Sequence, residues 1–191
     1  MKKVTVVLFA MAIVTWACNN ESTDSVETAD STNQANMDSS GSKPTVVTDE
    51  ASSSFLVSAA DGGMTEVQLG QMASEKGSNQ KVKDFGGLMV HDHSAANDKV
   101  KALAAQRNVT LPDSVSTENR KLIDDLSKKT GRAFDKAYID AMIKDHKADI
   151  DEFQEAGNKV NDADVKTFID NTLPKLRMHL DSANAVKKAL K

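Results

Sequence analysis

Two stretches of this chain, "MVHDH" at residues 89–93 and "MIKDH" at 142–146, repeat one order: Met, an aliphatic residue, a polar residue, Asp, His. The whole chain has only four histidines, His91, His93, His146 and His179. An imidazole can move protons near neutral pH or bind a transition metal through a neutral ring nitrogen. Three of the four, with Glu66, fall on apolar stripes where a polar side chain is otherwise out of place. His93, His146, His179 and Glu66 are therefore the candidate ligands for a single ion of zinc, iron, manganese, nickel or copper. The metal-free alternative is a Glu–His polar core, since a buried carboxylate is costly unless it is paired. His91 lies about 160° around the helix from His93 and takes no part. Asp92 and Asp145, about 100° off the ligand direction, are placed to support a histidine from behind or to pair at the surface.

The elements that must carry these residues are helices. The 191 residues are 39% hydrophobic but only 4% aromatic, with three prolines, so helix formers dominate and an all-α chain is expected. Helical spacing begins near Ala51. Four long helices are read at about 51–76, 79–107, 133–156 and 163–190, with a short helix at 117–128 in the crossover. Asn79 or Ser78 caps the second, Gly77 and Gly157 stop the first and third, and Pro174 is expected to kink the last. Glu66 shares a stripe with Phe55 and Leu69, and His93 with Met89 and Val100. His146 lies among Met142, Ile150 and Phe153, and His179 among Phe168, Leu176 and Ala183. Counted from turns at Gly77 and Gly157, Glu66 and His93 are offset by ~4 Å and His146 and His179 by ~12 Å. The repeated motif suggests two related hairpins, with His93 and His146 facing each other across the core.

The N-terminal third is different. "MKKVTVVLFAMAIVTWAC" has a basic start and an apolar run too short to cross a bilayer as a helix, which needs ~20 residues. Residues 1–17 read as a signal peptide. The lone Cys18, after Ala17, resembles a bacterial lipoprotein processing site, although Thr15 stands where Leu is usual. That resemblance implies a lipidated N-terminus and an envelope location, periplasm-facing or at the outer membrane. A single cysteine forms no disulfide within the chain. Residues 18–50, rich in Ser, Thr, Asn, Asp and Glu, read as a disordered acidic tether, leaving 51–191 as the folded domain.

The net charge of −4, with no basic stripe carrying aromatics, argues against nucleic acid. No nucleophile motif, phosphate loop or spaced catalytic carboxylate pair is present, so no catalytic residue is assigned; beside the metal-binding module stand a small redox metalloenzyme and a metal-free structural or stress-related envelope interaction protein.

"FLVSAADGGMTEVQLGQMA", "VKDFGGLMVHDHSAANDKVKALA", "TGRAFDKAYIDAMIKDHKADIDEF" and "TLPKLRMHL" resemble the bacterial domain-of-unknown-function 4142 family over about residues 51–190. The resemblance implies a ferritin-like four-helix bundle in exported or envelope proteins, and no activity. Its motif polar residues fall on Glu66, Asp92, His93, Asp145, His146 and His179. Ferritin-like di-iron sites use Glu-x-x-His pairs. Here Val90, Ile143 and Leu176 stand three residues before the histidines, so a di-iron centre is not expected.

Overall fold

The computed structural model describes residues 24–39 and 48–190. The signal peptide and the lipidation site at Cys18 lie outside the described residues. Among the described residues there are six helices: α1 Ser25–Ser39, α2 Glu50–Lys76, α3 Gln80–Gln106, α4 Thr117–Ser127, α5 Gly131–Lys159 and α6 Ala163–Ala189. There is no strand among the described residues, and no helix there is long and apolar enough to cross a membrane.

Most of the starts are made by side-chain caps. Asp49 accepts from the Ser52 amide, Asn79 from Lys81, Ser116 from Asn119, and Asp162 from Asp164 and Val165. Each satisfies an amide that the first helical turn leaves without a partner. Gly131 opens α5 at φ +54°, a backbone conformation that costs glycine least. α6 runs through Pro174 as one helix, which leaves the proline without an amide to donate inside the ladder.

α2, α3, α6 and α5 form a four-helix ring in that order, with α3 diagonal to α5 and α2 diagonal to α6. Two apolar clusters fix the directions. One holds Leu69 and Ala73 of α2, Val82 and Phe85 of α3, Phe134 and Tyr138 of α5, and Ala183 of α6. The other holds Phe55 and Leu56, Val100 and Ala104, Phe153, and Val165 and Phe168 from the same four helices. Neighbours are thus antiparallel and diagonal helices parallel. The segment containing α4 must travel the length of the bundle from the end of α3 to the start of α5, the single long crossover of the ferritin-like arrangement.

Glu66, His93, His146 and His179 lie between the two apolar clusters. The ~12 Å offset expected for His146 and His179 is corrected by the true end of α5. The helix continues through Gly157 to Lys159, because a glycine inside a helix costs only ~1 kcal/mol. From Asn161 the two histidines are 15 and 18 residues away, and from Ser78 Glu66 and His93 are 12 and 15 away. Both hairpins therefore carry the same 3-residue offset, ~4.5 Å along the axis.

The first hairpin is drawn tight by two glycines. A Cβ on Gly70 would stand 2.8 Å from the Gly86 carbonyl, and one on Gly86 would stand 2.7 Å from the Gly70 carbonyl. That approach sets Glu66, one turn from Gly70, against α3. At one end of the ring Asp135 accepts from the Ser78 and Asn79 amides at 2.8 and 2.9 Å, tying the α2–α3 turn to α5. At the other, Arg107 donates to Asp162 at 2.7 and 2.5 Å and to Asp164 at 2.9 Å, tying α3 to α6.

The tether expectation fails over 25–39. Among its described side chains α1 buries only Ala29 and Asn33, so its composition resembles a linker. It is held instead by hydrogen bonds to the crossover. Asn33 donates to the Thr110 carbonyl at 2.9 Å and accepts from the Thr110 amide at 2.7 Å, and Asp24 accepts from the Thr117 amide at 2.6 Å.

Candidate metal centre

Each helix of the ring brings one polar residue inward: Glu66 from α2, His93 from α3, His146 from α5 and His179 from α6. Their exposures are 3%, 6%, 0% and 1%, so all four have left water. The imidazole centroids are 5.6 Å apart for His93–His146, 5.2 Å for His93–His179 and 5.3 Å for His146–His179. One nitrogen from each of the three rings can be chosen so that all lie within 4.8 Å of one another. His93 and His146 face each other from diagonal helices, as the repeated motif suggested.

Every ring is held from one side. His93 Nδ1 lies 2.6 Å from Glu66 Oε2. His146 Nδ1 donates to the Met142 carbonyl at 3.0 Å. His179 Nε2 donates to Asp92 Oδ2 at 2.9 Å. Every ring also keeps a buried nitrogen with no hydrogen-bond partner: His93 Nε2, His146 Nε2 and His179 Nδ1. Buried polar atoms are nearly always paired, so three bare ring nitrogens in one cluster call for an occupant. Backing a metal-binding imidazole with a carboxylate or carbonyl is how its tautomer and orientation are usually set.

The sequence-predicted residues fall as follows. Glu66, His93, His146 and His179 converge. Asp92 supports His179 directly. His91 is exposed and bonds Asp92 at 2.9 Å. Asp145 is partly buried, makes no hydrogen bond among the described residues, and lines a cavity of about 290 Å³ that also touches Glu66, His93 and His179. Asp149, on the same cavity, was missed. It stands three residues after His146, on the same face of α5. The His-x-x-Asp spacing was readable, but the ferritin-like order places the carboxylate before the histidine. Glu66, His146 and Asp149 form a second group whose ligand atoms lie within 4.8 Å of one another.

Burial dominates the electrostatics. It lowers His93 to about 4 and His146 to about 3, and it lowers His179 against the opposing pull of Asp92. The three imidazoles are therefore neutral and able to ligate near pH 7. Burial, and then the charge of Asp145, holds Glu66 well above the usual carboxylate range. Asp145 is pushed up to about 6 by burial, and Asp149 well upward by burial and then by Glu66 and Asp145. Asp92 is the exception. Burial would raise it, but the hydrogen bonds from His179 and His91 prevail and its carboxyl lies below the ordinary value.

A buried His/Glu group of this kind has the donors, protonation state and spacing to hold a metal ion. No curated protein and no solved structure matches the chain. The sequence model of one family, described as a domain of unknown function (DUF4142), matches residues 29–186, from within α1 to within α6. A match over most of the chain, reaching into the helix that composition had assigned to a tether, makes this protein a member of the DUF4142 family.

Proposed function

We propose that this protein is a lipid-anchored envelope module that binds one transition-metal ion through His93, His146 and His179. Glu66 and Asp92 orient the first and last of these imidazoles, and Glu66 is within reach as a further ligand. The observation that carries the reading is the set of three buried ring nitrogens without partners, each opposite a nitrogen already paired with a protein oxygen. Neutral imidazoles bind without having to release a proton, so uptake at neutral pH is unhindered by the histidines themselves. Imidazole-rich sets suit zinc, copper, nickel and iron. Holding, buffering or sensing the ion is the role this geometry supports.

The test is metal content by mass spectrometry. The chain from residue 19 onward, exported and purified without tag or chelator, is compared with a variant carrying His93→Ala, His146→Ala and His179→Ala. Near-stoichiometric metal in the parent and none in the variant is expected. A parent that is empty and refuses added zinc, iron, manganese and copper would leave the metal-free polar core, which the 2.6 Å Glu66–His93 contact favours. The anchor rests on the sequence at Cys18. Cys18→Ala should move the protein from the membrane fraction to the soluble one, and unchanged membrane partition would refute lipidation there.

A further inference from the structure

His146 is claimed by two ligand groups. With His93 and His179 it completes a set of three nitrogens, and with Glu66 and Asp149 it completes a set of one nitrogen and two carboxylate oxygens. A neutral imidazole has one N–H and one lone pair. A carbonyl oxygen only accepts, so the 3.0 Å contact with Met142 makes Nδ1 the N–H and leaves the lone pair on Nε2. One lone pair cannot bind two ions, and Nδ1, which faces Glu66 Oε1 at 3.4 Å, could serve the second group only by giving up its proton and its bond to Met142.

The second group has its own sign of a missing partner. Glu66 is 3% exposed and its Oε1 makes no hydrogen bond. It is 3.4 Å from His146 Nδ1, already committed to Met142. Asp149 and Asp145 line the same cavity as Glu66 and make no hydrogen bond among the described residues. The nearby Lys144 is exposed on the outer face of α5. Three carboxyl groups meet there, and the two lysines on the same cavity, Lys99 and Lys175, are exposed and form no ion pair with them among the described residues.

The two sets differ in chemistry. Nitrogen-rich ligation suits borderline ions such as Zn²⁺, and oxygen-rich ligation suits harder ones such as Mn²⁺. We infer that the core offers one divalent cation two alternative positions, His93/His146/His179 and Glu66/His146/Asp149, which exclude each other through His146. Mn²⁺ and Zn²⁺ then compete for the chain and do not fill it together. The exclusion rests on the three-histidine reading; the oxygen-rich position does not.

The experiment titrates the metal-free full-length chain with Mn²⁺, followed by the paramagnetic resonance signal of free Mn²⁺, and then adds Zn²⁺. One Mn²⁺ per chain is expected, displaced one for one by Zn²⁺. Asp149→Asn should weaken Mn²⁺ at least ~10-fold and leave Zn²⁺ within ~3-fold, and Asp149→Glu should recover part of the loss. His179→Ala should do the reverse. Asp149→Asn alters a half-buried carboxyl group, and a circular-dichroism melt of the metal-free variant verifies its fold. Mn²⁺ and Zn²⁺ bound together at two per chain would overturn the inference, as would Mn²⁺ affinity indifferent to Asp149. Zn²⁺ held by the histidines with no Asp149-dependent Mn²⁺ would defeat this inference alone. Asp149-dependent Mn²⁺ with no Zn²⁺ uptake would defeat the three-histidine reading and the exclusion built on it.

Discussion

The two hairpins share a length, an antiparallel form and a 3-residue offset between their inward polar residues, yet they are built differently. α2 and α3 touch backbone to backbone at Gly70 and Gly86. Between α5 and α6, a Cβ on Gly157 would meet only Ile169, at an ordinary 3.4 Å. The two "DH" pairs also meet different partners. Asp92, on α3, faces His179 of the second hairpin and bonds it at 2.9 Å. Asp145, on α5, is placed towards α2, where the inward residue is Glu66, and the two charges oppose each other. One pair of neighbouring helices, α3 and α6, carries a satisfied acid–imidazole pair. The equivalent pair, α5 and α2, carries an excess of carboxylate with a shared histidine beside it. A bundle with approximate two-fold order thus becomes an asymmetric site through one residue, a glutamate where its counterpart is a histidine.

The largest expected effect tests the difference in packing. A Cβ on Gly86 would stand 2.7 Å from the Gly70 carbonyl, 2.9 Å from Ala73 Cβ and 3.0 Å from the Ser74 amide nitrogen. Two backbones must separate to admit it. Overpacking of that kind outweighs the gain in helix propensity, so Gly86→Ala should destabilise by about 3 kcal/mol in urea unfolding. It should also weaken any metal bound next to Glu66, whose position depends on that approach. Gly157→Ala meets an ordinary contact and gains propensity, so it should stabilise by about 0.5 kcal/mol. Equal effects at the two glycines would remove the distinction between the hairpins.

Much of this was legible in the chain. The helices, the capping by Asn79, the inward Glu66, His93, His146 and His179 and the exposed His91 follow from spacing, because a 3.6-residue period fixes which side chains share a face. Four features did not follow, each for a physical reason. α1 was hidden because its docking uses Asn33 and Asp24 hydrogen bonds in place of apolar area. The end of α5 was misplaced because Gly157 is compatible with a helix that neighbouring contacts sustain, which produced the false ~12 Å offset. Asp149 was overlooked because the order of carboxylate and histidine was taken from another kind of site. The approach of Gly70 to Gly86 also lies beyond periodicity, since it is a property of two helices and not of either alone.

The comparison of the two aspartates is sharpened by the same substitution at each, which should act with opposite sign. Asp145 rises from 3.8 to about 6 on folding. Below pH 3.8 both states hold the proton and the group contributes nothing. Between 3.8 and 6 the unfolded chain loses the proton first, so the folded state binds more protons and stability falls as pH rises. Above about 6 the penalty is complete. Asp145→Asn should therefore stabilise the metal-free protein by about 2 kcal/mol at pH 8, with the gain shrinking to nothing near pH 4. Asp92 is shifted the other way. Its contribution is present above 3.8 and is lost only as pH falls through the lower folded value. Asp92→Asn should cost about 1 kcal/mol throughout pH 5–8, because an amide oxygen still accepts from His179 but more weakly than a carboxylate. Urea unfolding of the metal-free parent and both variants at pH 4, 6 and 8 measures the pair. If Asp145→Asn destabilises at pH 8, Asp145 has a stabilising partner and the surplus of negative charge that makes the oxygen-rich side receptive to a cation does not exist. Opposite signs would instead locate the asymmetry in the partners of the two aspartates, since the aspartates themselves occupy equivalent positions in the repeated motif.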